Sequence, residues 1–391
     1  MIKFVGNAEL VKSSLYEVVS MSECISWVNN LKEVDLDTET QGMFNHNNKI
    51  VMLQLHDSGV TYVVDTRYND IKCLKNLENI VVNGQNLKFD YKFLKFHGLE
   101  LNNIYDTFLA ECILTTGLSE RQLGLKALAK KYCEIELDKS VRNQFVDLNG
   151  NPFTESQIVY GVGDVTCIRD IKRQQLDRAK ELDLLNVIQL ENDACLALAD
   201  IEYNGFGLNT EKWLELARNA ESNVSLYKND LDELVKNENS LSKYVLDKVQ
   251  GNLFAGIEEG FEHGRDINIE WSSPLQVFKV FKDLGLSIES TNEKEISKYQ
   301  NKYPIVKKFI DYKKHQKLTT TYGTKFLKYV NKYTDKVHTS FWQILNTGRI
   351  SSGESGKHSQ SPNMQNLPAN NEYRNCFIPT KGNKIVSCDF S

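Results

Sequence analysis

No stretch of this 391-residue chain approaches the roughly 20 consecutive apolar residues of a membrane span. Its first residues also lack the charged, apolar and small-residue blocks of a signal peptide. Membrane and secreted classes are thereby set aside, and a cytoplasmic location is expected. The eight cysteines, at 24, 73, 112, 133, 167, 195, 376 and 388, include no Cys-x-x-Cys pair. That spacing speaks against structural zinc and for a reducing compartment. Excess positive charge is missing too. The net charge is −5, so a nucleic-acid site has to be a local basic patch. What is present, 41% hydrophobic and 25% charged residues, is the composition of a globular protein of two or three domains.

The chain is organised around Val34-Asp35-Leu36-Asp37-Thr38-Glu39-Thr40. Apolar or β-branched residues alternate with carboxylates at the period of a strand, so Asp37 and Glu39 leave the same face. Two adjacent acids repel, which a fold tolerates on a solvated edge or around a cation. A lone Asp-x-Glu is more often the solvated edge. Asn86 to Asp90 and Tyr160 to Asp164 shift that balance.

Strands are expected at 17–19, 33–40, 50–56 and 60–65, the last three as an antiparallel meander with short polar connections. Ile80-Val81-Val82 is a short buried strand ending at Asn83-Gly84. Helices are expected at 21–29, 71–77, 87–97, 107–115, 123–132 and, as one element, 155–179. Three meander strands followed by alternating helices and strands give a ribonuclease H-like α/β layer. In that layout Asp90 lies on the helix after the fourth strand, and Tyr160 and Asp164, four apart, share a helical face. Asp37, Glu39, Asp90 and Asp164 then form a cup of four acids with a tyrosine at its rim. All its ligands are hard oxygens, suited to two Mg²⁺ or Mn²⁺ ions about 3.5–4 Å apart.

Asp37-Thr38-Glu39-Thr40, Gly84-Gln85-Asn86-Leu87-Lys88-Phe89-Asp90 and Tyr160-Gly-Val-Gly-Asp164 resemble, in order and spacing, the three motifs of the DEDDy 3′–5′ exonucleases. Leu137-Asp138-Lys139-Ser140-Val141-Arg142 resembles the segment before the third motif. The resemblance implies that Asp37, Glu39, Asp90 and Asp164 bind metal, that Tyr160 orients the attacking water, and that Asn86 helps to hold the substrate strand. Ribonuclease D relatives share these motifs, which leaves DNA and RNA open on this part alone.

Further on, a helix is expected over 184–203, stopped by Asn204-Gly205, and another from Thr210 to about Lys236. Residues 237–264 read as an irregular insertion. Ser272 or Ser273 caps a helix with Pro274 in its first turn, and 292–327 is largely helical. Residues 302–336 hold ten lysines against Asp311 and Asp335, with tyrosines interleaved. Lysines such as Lys313, Lys314 and Lys317 can bind phosphate without reading sequence, although a lysine-rich helix can equally be a solvated face. Leu318-Thr-Thr-Thr-Tyr-Gly-Thr, Glu202-Tyr-Asn-Gly-Phe-Gly and Ser-Ser-Pro274-Leu-Gln are similar to thumb segments of the family A DNA polymerases.

From Val337 onward, Thr347-Gly348-Arg349, Pro362-Asn363-Met364-Gln365 and Ile385-Val386-Ser387-Cys388-Asp389-Phe390-Ser391 resemble the start of that family's palm. The last run is identified with polymerase motif A, which implies that Asp389 is one of two metal-binding aspartates and that Arg349 and Gln365 contact the primer–template. An extra stretch, 354–360, separates two of these motifs. The expected architecture is a ribonuclease H-like exonuclease domain (1–183), a mainly α-helical thumb-like domain (184–336) and an incomplete α+β palm (337–391). The expected partners are DNA, as single-stranded 3′ ends and primer–template. Since the fingers and later palm motifs do not follow Ser391, a second polypeptide carrying them is expected for synthesis, in a split, interrupted or truncated phage-type polymerase. The alternative is a nuclease-silent half that clamps DNA and docks that polypeptide.

Overall fold

The computed structural model describes the chain except residues 8–12, 147, 149, 250–262, 354–360, 387 and 389–391. Its internal contacts divide it into two compact units, Met1–Phe206 with Asn331–Gln365, and Gly207–Val330 with Asn366–Ser391.

The first unit is built on a seven-stranded mixed sheet. Its strands are β1 (Ile2–Val5), β2 (Glu17–Val18), β3 (Glu33–Thr40), β4 (Ile50–Asp57), β5 (Val60–Asp65), β6 (Val81–Gly84) and β7 (Asn103–Asp106), in spatial order β2-β1-β5-β4-β3-β6-β7. The meander β3-β4-β5 is antiparallel as expected, while β6 pairs parallel to both β3 and β7. Every apolar residue of β4 is buried, as is Val34 and Leu36 of β3, so this sheet is covered on both faces. Strands β1 and β7 were not foreseen; each is four residues long, too short for its alternation to stand out.

Helices α1 (Met21–Asn29), α2 (Leu87–Phe96), α3 (Thr107–Leu114), α4 (Leu125–Cys133), α5 (Glu155–Thr166), α6 (Ile168–Glu181) and α7 (Leu185–Asn204) surround the sheet. Residues 71–78 form two 3₁₀ turns in place of the expected helix. The single helix expected over 155–179 is divided at Cys167. α5 begins at a full capping box, with Thr154 and Gln157 bonding each other's backbone N–H.

In the second unit β8 (Phe206–Leu208) leads into α8 (Thr210–Lys236). The region expected to be irregular carries a 3₁₀ turn at 239–244 and an antiparallel pair, β9 (Val245–Val249) with β10 (His263–Ile267). α9 (Pro274–Asp283) has Pro274 in its first turn, and Ser273 occupies the N-cap position without a side-chain cap bond. After α10 (Glu293–Ile296) comes α11 (Pro304–Tyr322), which packs along α8. Trp271, Phe281 and Phe309 centre that core, and the Trp271 indole N–H donates to Asp232 at 2.7 Å.

Residues 331–365 add β11 (Lys336–Val337) and the antiparallel pair β12 (Phe341–Trp342) and β13 (Ser351–Ser352) to the first unit. Residues from 366 add α12 (Asn371–Arg374) and β14 (Phe377–Ile378), which pairs with Gly207 and Leu208. Ile385 and Val386, expected to open a strand, are exposed and in none. Asp389, Phe390 and the 354–360 stretch lie outside the described residues. Among the described residues no helix is long and apolar enough to cross a membrane.

Candidate nuclease site

Strand β3 presents four carboxylates on one face: Glu33, Asp35, Asp37 and Glu39. Their environments divide sharply. Arg169 and Lys172, from α6, take the first two. Arg169 lies 2.7 Å from Glu33 and 3.1 Å from Asp35, and Lys172 lies 2.8 Å from Glu33. Asn83 adds a 2.8 Å bond to Asp35. Burial raises the Glu33 carboxyl, but Lys172 and Arg169 outweigh it and hold it below its usual range. Asp35, fully buried, is pushed by that burial to about 6 despite Asn83 and Arg169.

The carboxylates of Asp37 and Glu39 have no hydrogen bond or ion pair among the described residues. They meet Asp164 of α5 instead, and one carboxylate oxygen from each of the three lies within 4.8 Å of the others. Asp90 lies outside that 4.8 Å group, nearly fully buried, with its Oδ1 accepting from the Thr38 hydroxyl of β3. Burial raises the Asp37 carboxyl well above its usual range, and the charges of Asp90, Glu39 and Asp164 push it the same way. Glu39 is pushed by burial and then by Asp164 to about 8, and Asp90 by burial to about 7. Asp164 is raised by burial against the pull of Lys139. Four carboxylates that all resist ionisation form a site short of positive charge.

Two further groups complete the rim. Tyr160, one turn before Asp164, packs on Phe145 with ring centroids 5.8 Å apart. Burial, then the charges of Asp164, Glu39 and Asp37, raise its phenol far above its ordinary value, so it stays protonated. Lys139 reaches in from the loop before α5. Its Nζ is 2.6 and 2.7 Å from the two oxygens of Asp164 and 3.5 Å from the Tyr160 hydroxyl. Sequence reasoning noted the segment around Lys139 and did not assign the lysine to the site.

Asn86 is exposed and sits in the left-handed region (φ 61°, ψ 46°) between β6 and α2, with no side-chain cap bond. The buried carboxylate of Asp106 holds that turn, accepting from the N–H groups of Asn86 and Leu87 at 2.8 Å each. On its other side α2 is fastened by Lys88 and Lys92, which both bond the buried Glu202 of α7.

The expected DNA-contacting residues are more varied. Lys314 and Lys317 are exposed on α11. Lys313 is half-buried, donates to the Thr291 carbonyl at 3.2 Å and lies over the Phe309 ring, so it is partly committed to packing. Arg349 is exposed. The Gln365 amide bonds the strand backbone, accepting from Ser352 N–H at 2.9 Å and donating to the Ile350 carbonyl at 3.2 Å.

Two family models match the chain: 3′–5′ exonuclease over residues 16–178 and DNA polymerase family A over residues 246–391. Among curated relatives, DNA polymerase I of Borreliella burgdorferi is 24% identical over 97% of this chain, and that of Aquifex aeolicus 25% identical over 95%. The chain spans 40% and 60% of those two proteins. A solved structure, the POL domain of Pol1 from M. smegmatis in complex with DNA primer-template and dNTP, superposes with a TM-score of 0.68 at 16% identity. That match covers 98% of this chain and 59% of the other. The fold is thus the ribonuclease H-like exonuclease layer followed by a mostly helical polymerase-like part, and the chain is similar to the 3′–5′ exonuclease family on its N-terminal side and to DNA polymerase family A on its C-terminal side.

Proposed function

We propose that the first unit is a DEDDy-type 3′–5′ exonuclease that removes nucleotides from DNA 3′ ends as the proofreading part of a family A polymerase. The observation that carries this reading is the contrast along β3. Glu33 and Asp35 are matched by cations of the protein, whereas Asp37 and Glu39, on the same face, are matched by none and converge with Asp164. A structural carboxylate row would be neutralised along its whole length.

The donor set, all carboxylate oxygens of raised proton affinity, fits hard divalent cations. Asp37, Glu39, Asp90 and Asp164 would hold two Mg²⁺ or Mn²⁺ ions, which supply Lewis-acid activation of water and charge at the leaving oxygen. Tyr160, protonated throughout the working range, orients the attacking water through its hydroxyl. Asn86 holds the terminal nucleotide's strand from its exposed left-handed turn. Within the 184–336 segment, the part that forms the second unit, residues 207–330, acts as a thumb-like DNA-binding domain through Lys314 and Lys317. Residues 337–391 supply palm elements, with Arg349 and Gln365 toward primer–template and Asp389 in polymerase motif A. DNA is the substrate favoured over RNA because the polymerase family match accompanies the exonuclease one.

The test is degradation of 3′-labelled single-stranded DNA by the purified chain. Cleavage is expected with Mg²⁺ or Mn²⁺ and none in EDTA. Asp37→Ala is expected to lower the rate by several orders of magnitude, because it removes a group that holds transition-state charge in place. Undiminished digestion by Asp37→Ala, free of contaminating nuclease, would falsify the assignment.

A further inference from the structure

Gln54 is fully buried, and neither its amide oxygen nor its amide nitrogen has a hydrogen-bond partner among the described residues. It is the register partner of Asp37 across β3 and β4, so the two side chains leave the same face of the sheet side by side. On that face of β4 its neighbours are Met52, which is apolar, and His56, whose ring bonds Thr61 at 2.8 Å. Directly over the amide runs α5. A Cβ at Gly161 would stand 2.5 Å from Nε2 and 3.1 Å from Cγ of Gln54, so only glycine lets the helix lie this close. Gly161 follows Tyr160 and precedes Asp164 by three residues. The Gln54 amide is therefore enclosed between the strand that carries Asp37 and the helix that carries Tyr160 and Asp164.

Burying both ends of an amide without partners is unfavourable, and methionine or leucine would fill the same volume with no polar atoms. A glutamine at this point therefore needs a polar counterpart, and the β3/β4 register sets the Asp37 carboxylate, an acceptor, beside it. We propose that Gln54 is a positioning residue of the nuclease site: its Nε2 donates to the Asp37 carboxylate, directly or through one bridging water, and fixes that carboxylate's charge and orientation for a divalent cation. Groups that orient a metal-binding carboxylate typically contribute 10–100-fold to metal affinity or activity. Such bonds are often long without the metal and tighten in the reacting complex.

The inference rests on reading the carboxylate cup as a cation site, and the experiment separates the two. Mn²⁺ binding is measured by calorimetry for the whole chain and for Gln54→Met, Gln54→Leu and Asp37→Ala, with melting temperatures recorded in EDTA. The expected result is a roughly 10–100-fold loss of Mn²⁺ affinity in both Gln54 variants, with melting temperatures equal to or above that of the parent. Exonuclease rates should fall in parallel at limiting Mn²⁺ and recover in part at high Mn²⁺. Parent-like Mn²⁺ affinity in either Gln54 variant overturns the inference, and so does a drop in melting temperature in both, since the amide would then be serving the fold. If Asp37→Ala binds Mn²⁺ as the parent does, the cation site itself is wrong and this inference falls with it. If Asp37→Ala loses binding and the Gln54 variants keep it, only the role of Gln54 fails.

Discussion

Lys139 grips Asp164 through both carboxylate oxygens, at 2.6 and 2.7 Å, and is the protein's own cation inside a cup of four acids. Asp164 is buried while Lys139 is about one-third exposed, its side chain 30% accessible. Removing the lysine leaves Asp164 facing Glu39 and Asp37 without its ion-pair partner, with only the more distant charge of Arg142 opposing the repulsion. Lys139→Met is therefore expected to destabilise the first unit in EDTA by on the order of 1–3 kcal/mol, a buried-pair cost reduced by solvent screening. Saturating Mn²⁺ should shrink that loss, because bound cations supply the missing charge. Melting curves with and without Mn²⁺ decide the matter, and an equal loss in both conditions would give Lys139 a purely structural role.

Asp37→Asn should show the opposite sign. Burial and three neighbouring carboxylates disfavour the ionised Asp37, so its charge works against the fold when no cation is present. The amide keeps the shape and removes the repulsion. In EDTA the variant is expected to be more stable than the parent by about 0.5–2 kcal/mol, the usual scale when a functional site is relieved of strain. Added Mn²⁺ should raise the melting temperature of the parent and leave that of the variant nearly unchanged. A variant less stable than the parent in EDTA would contradict the electrostatic account.

How much of this was legible beforehand depends on the range of the interactions. Asp37 with Glu39, and Tyr160 with Asp164, are local periodicities of two and four residues, and each lies on one face as the sequence implied. The strands 33–40 and 60–65 likewise follow from short-range alternation. Lys139, Gln54 and Asp106 escaped because their roles come from contacts distant in sequence. Gln54 meets Asp37 only through the β3/β4 register, and Asp106 reaches Asn86 from the next strand of the sheet. The break at Cys167 was missed because neither glycine nor proline marks it, and its backbone remains in the right-handed region (φ −94°, ψ −12°). Lys313, expected with Lys314 and Lys317 to be able to bind phosphate, has its ammonium against the Thr291 carbonyl and the Phe309 ring, contacts that the local sequence does not show.

Tyr160→Phe isolates the hydroxyl, since the ring packed on Phe145 is retained. If the phenol orients water, cleavage should slow by about 10–100-fold while Mn²⁺ binding and single-stranded DNA binding stay near parental values. Calorimetry and a DNA-binding titration beside the rate measurement separate the possibilities. Collapse of metal affinity would mean that the hydroxyl serves the carboxylates instead.

His338 makes a pH dependence of stability. It is buried in the first unit, Nδ1 against the Glu202 carbonyl and Nε2 against the Thr334 hydroxyl, both at 2.8 Å. Burial lowers its pKa from 6.5 to about 4. Between those values the unfolded chain binds a proton that the folded chain does not, so stability falls as pH drops from about 6.5 to about 4 and then levels off. The upper bound on this contribution is about 3 kcal/mol. Urea midpoints from pH 7.5 to 4.5 should therefore fall more steeply for the parent than for His338→Gln. Identical slopes would show that His338 does not titrate in this range.

Salt dependence discriminates among the lysines of α11. A phosphate contact releases counterions, and each one lost should reduce the log–log salt slope of duplex binding by roughly 0.9. Lys314 and Lys317 are exposed and are expected to contribute such contacts. Lys313 is tied to Thr291 and Phe309, so its ammonium has less freedom to follow a phosphate. Lys314→Ala and Lys317→Ala should therefore each flatten the slope, with similar effects on unrelated duplex sequences because phosphate contacts do not read bases. Lys313→Ala should change the slope less and the melting temperature more, since it removes packing along with charge. Binding titrations between 50 and 200 mM salt, a range over which about 6–10 phosphate contacts change affinity by 10³–10⁵, give ample span to see one contact disappear. A slope unaltered in Lys314→Ala and Lys317→Ala would make α11 a solvated helix face and would move the DNA-binding surface of this unit elsewhere.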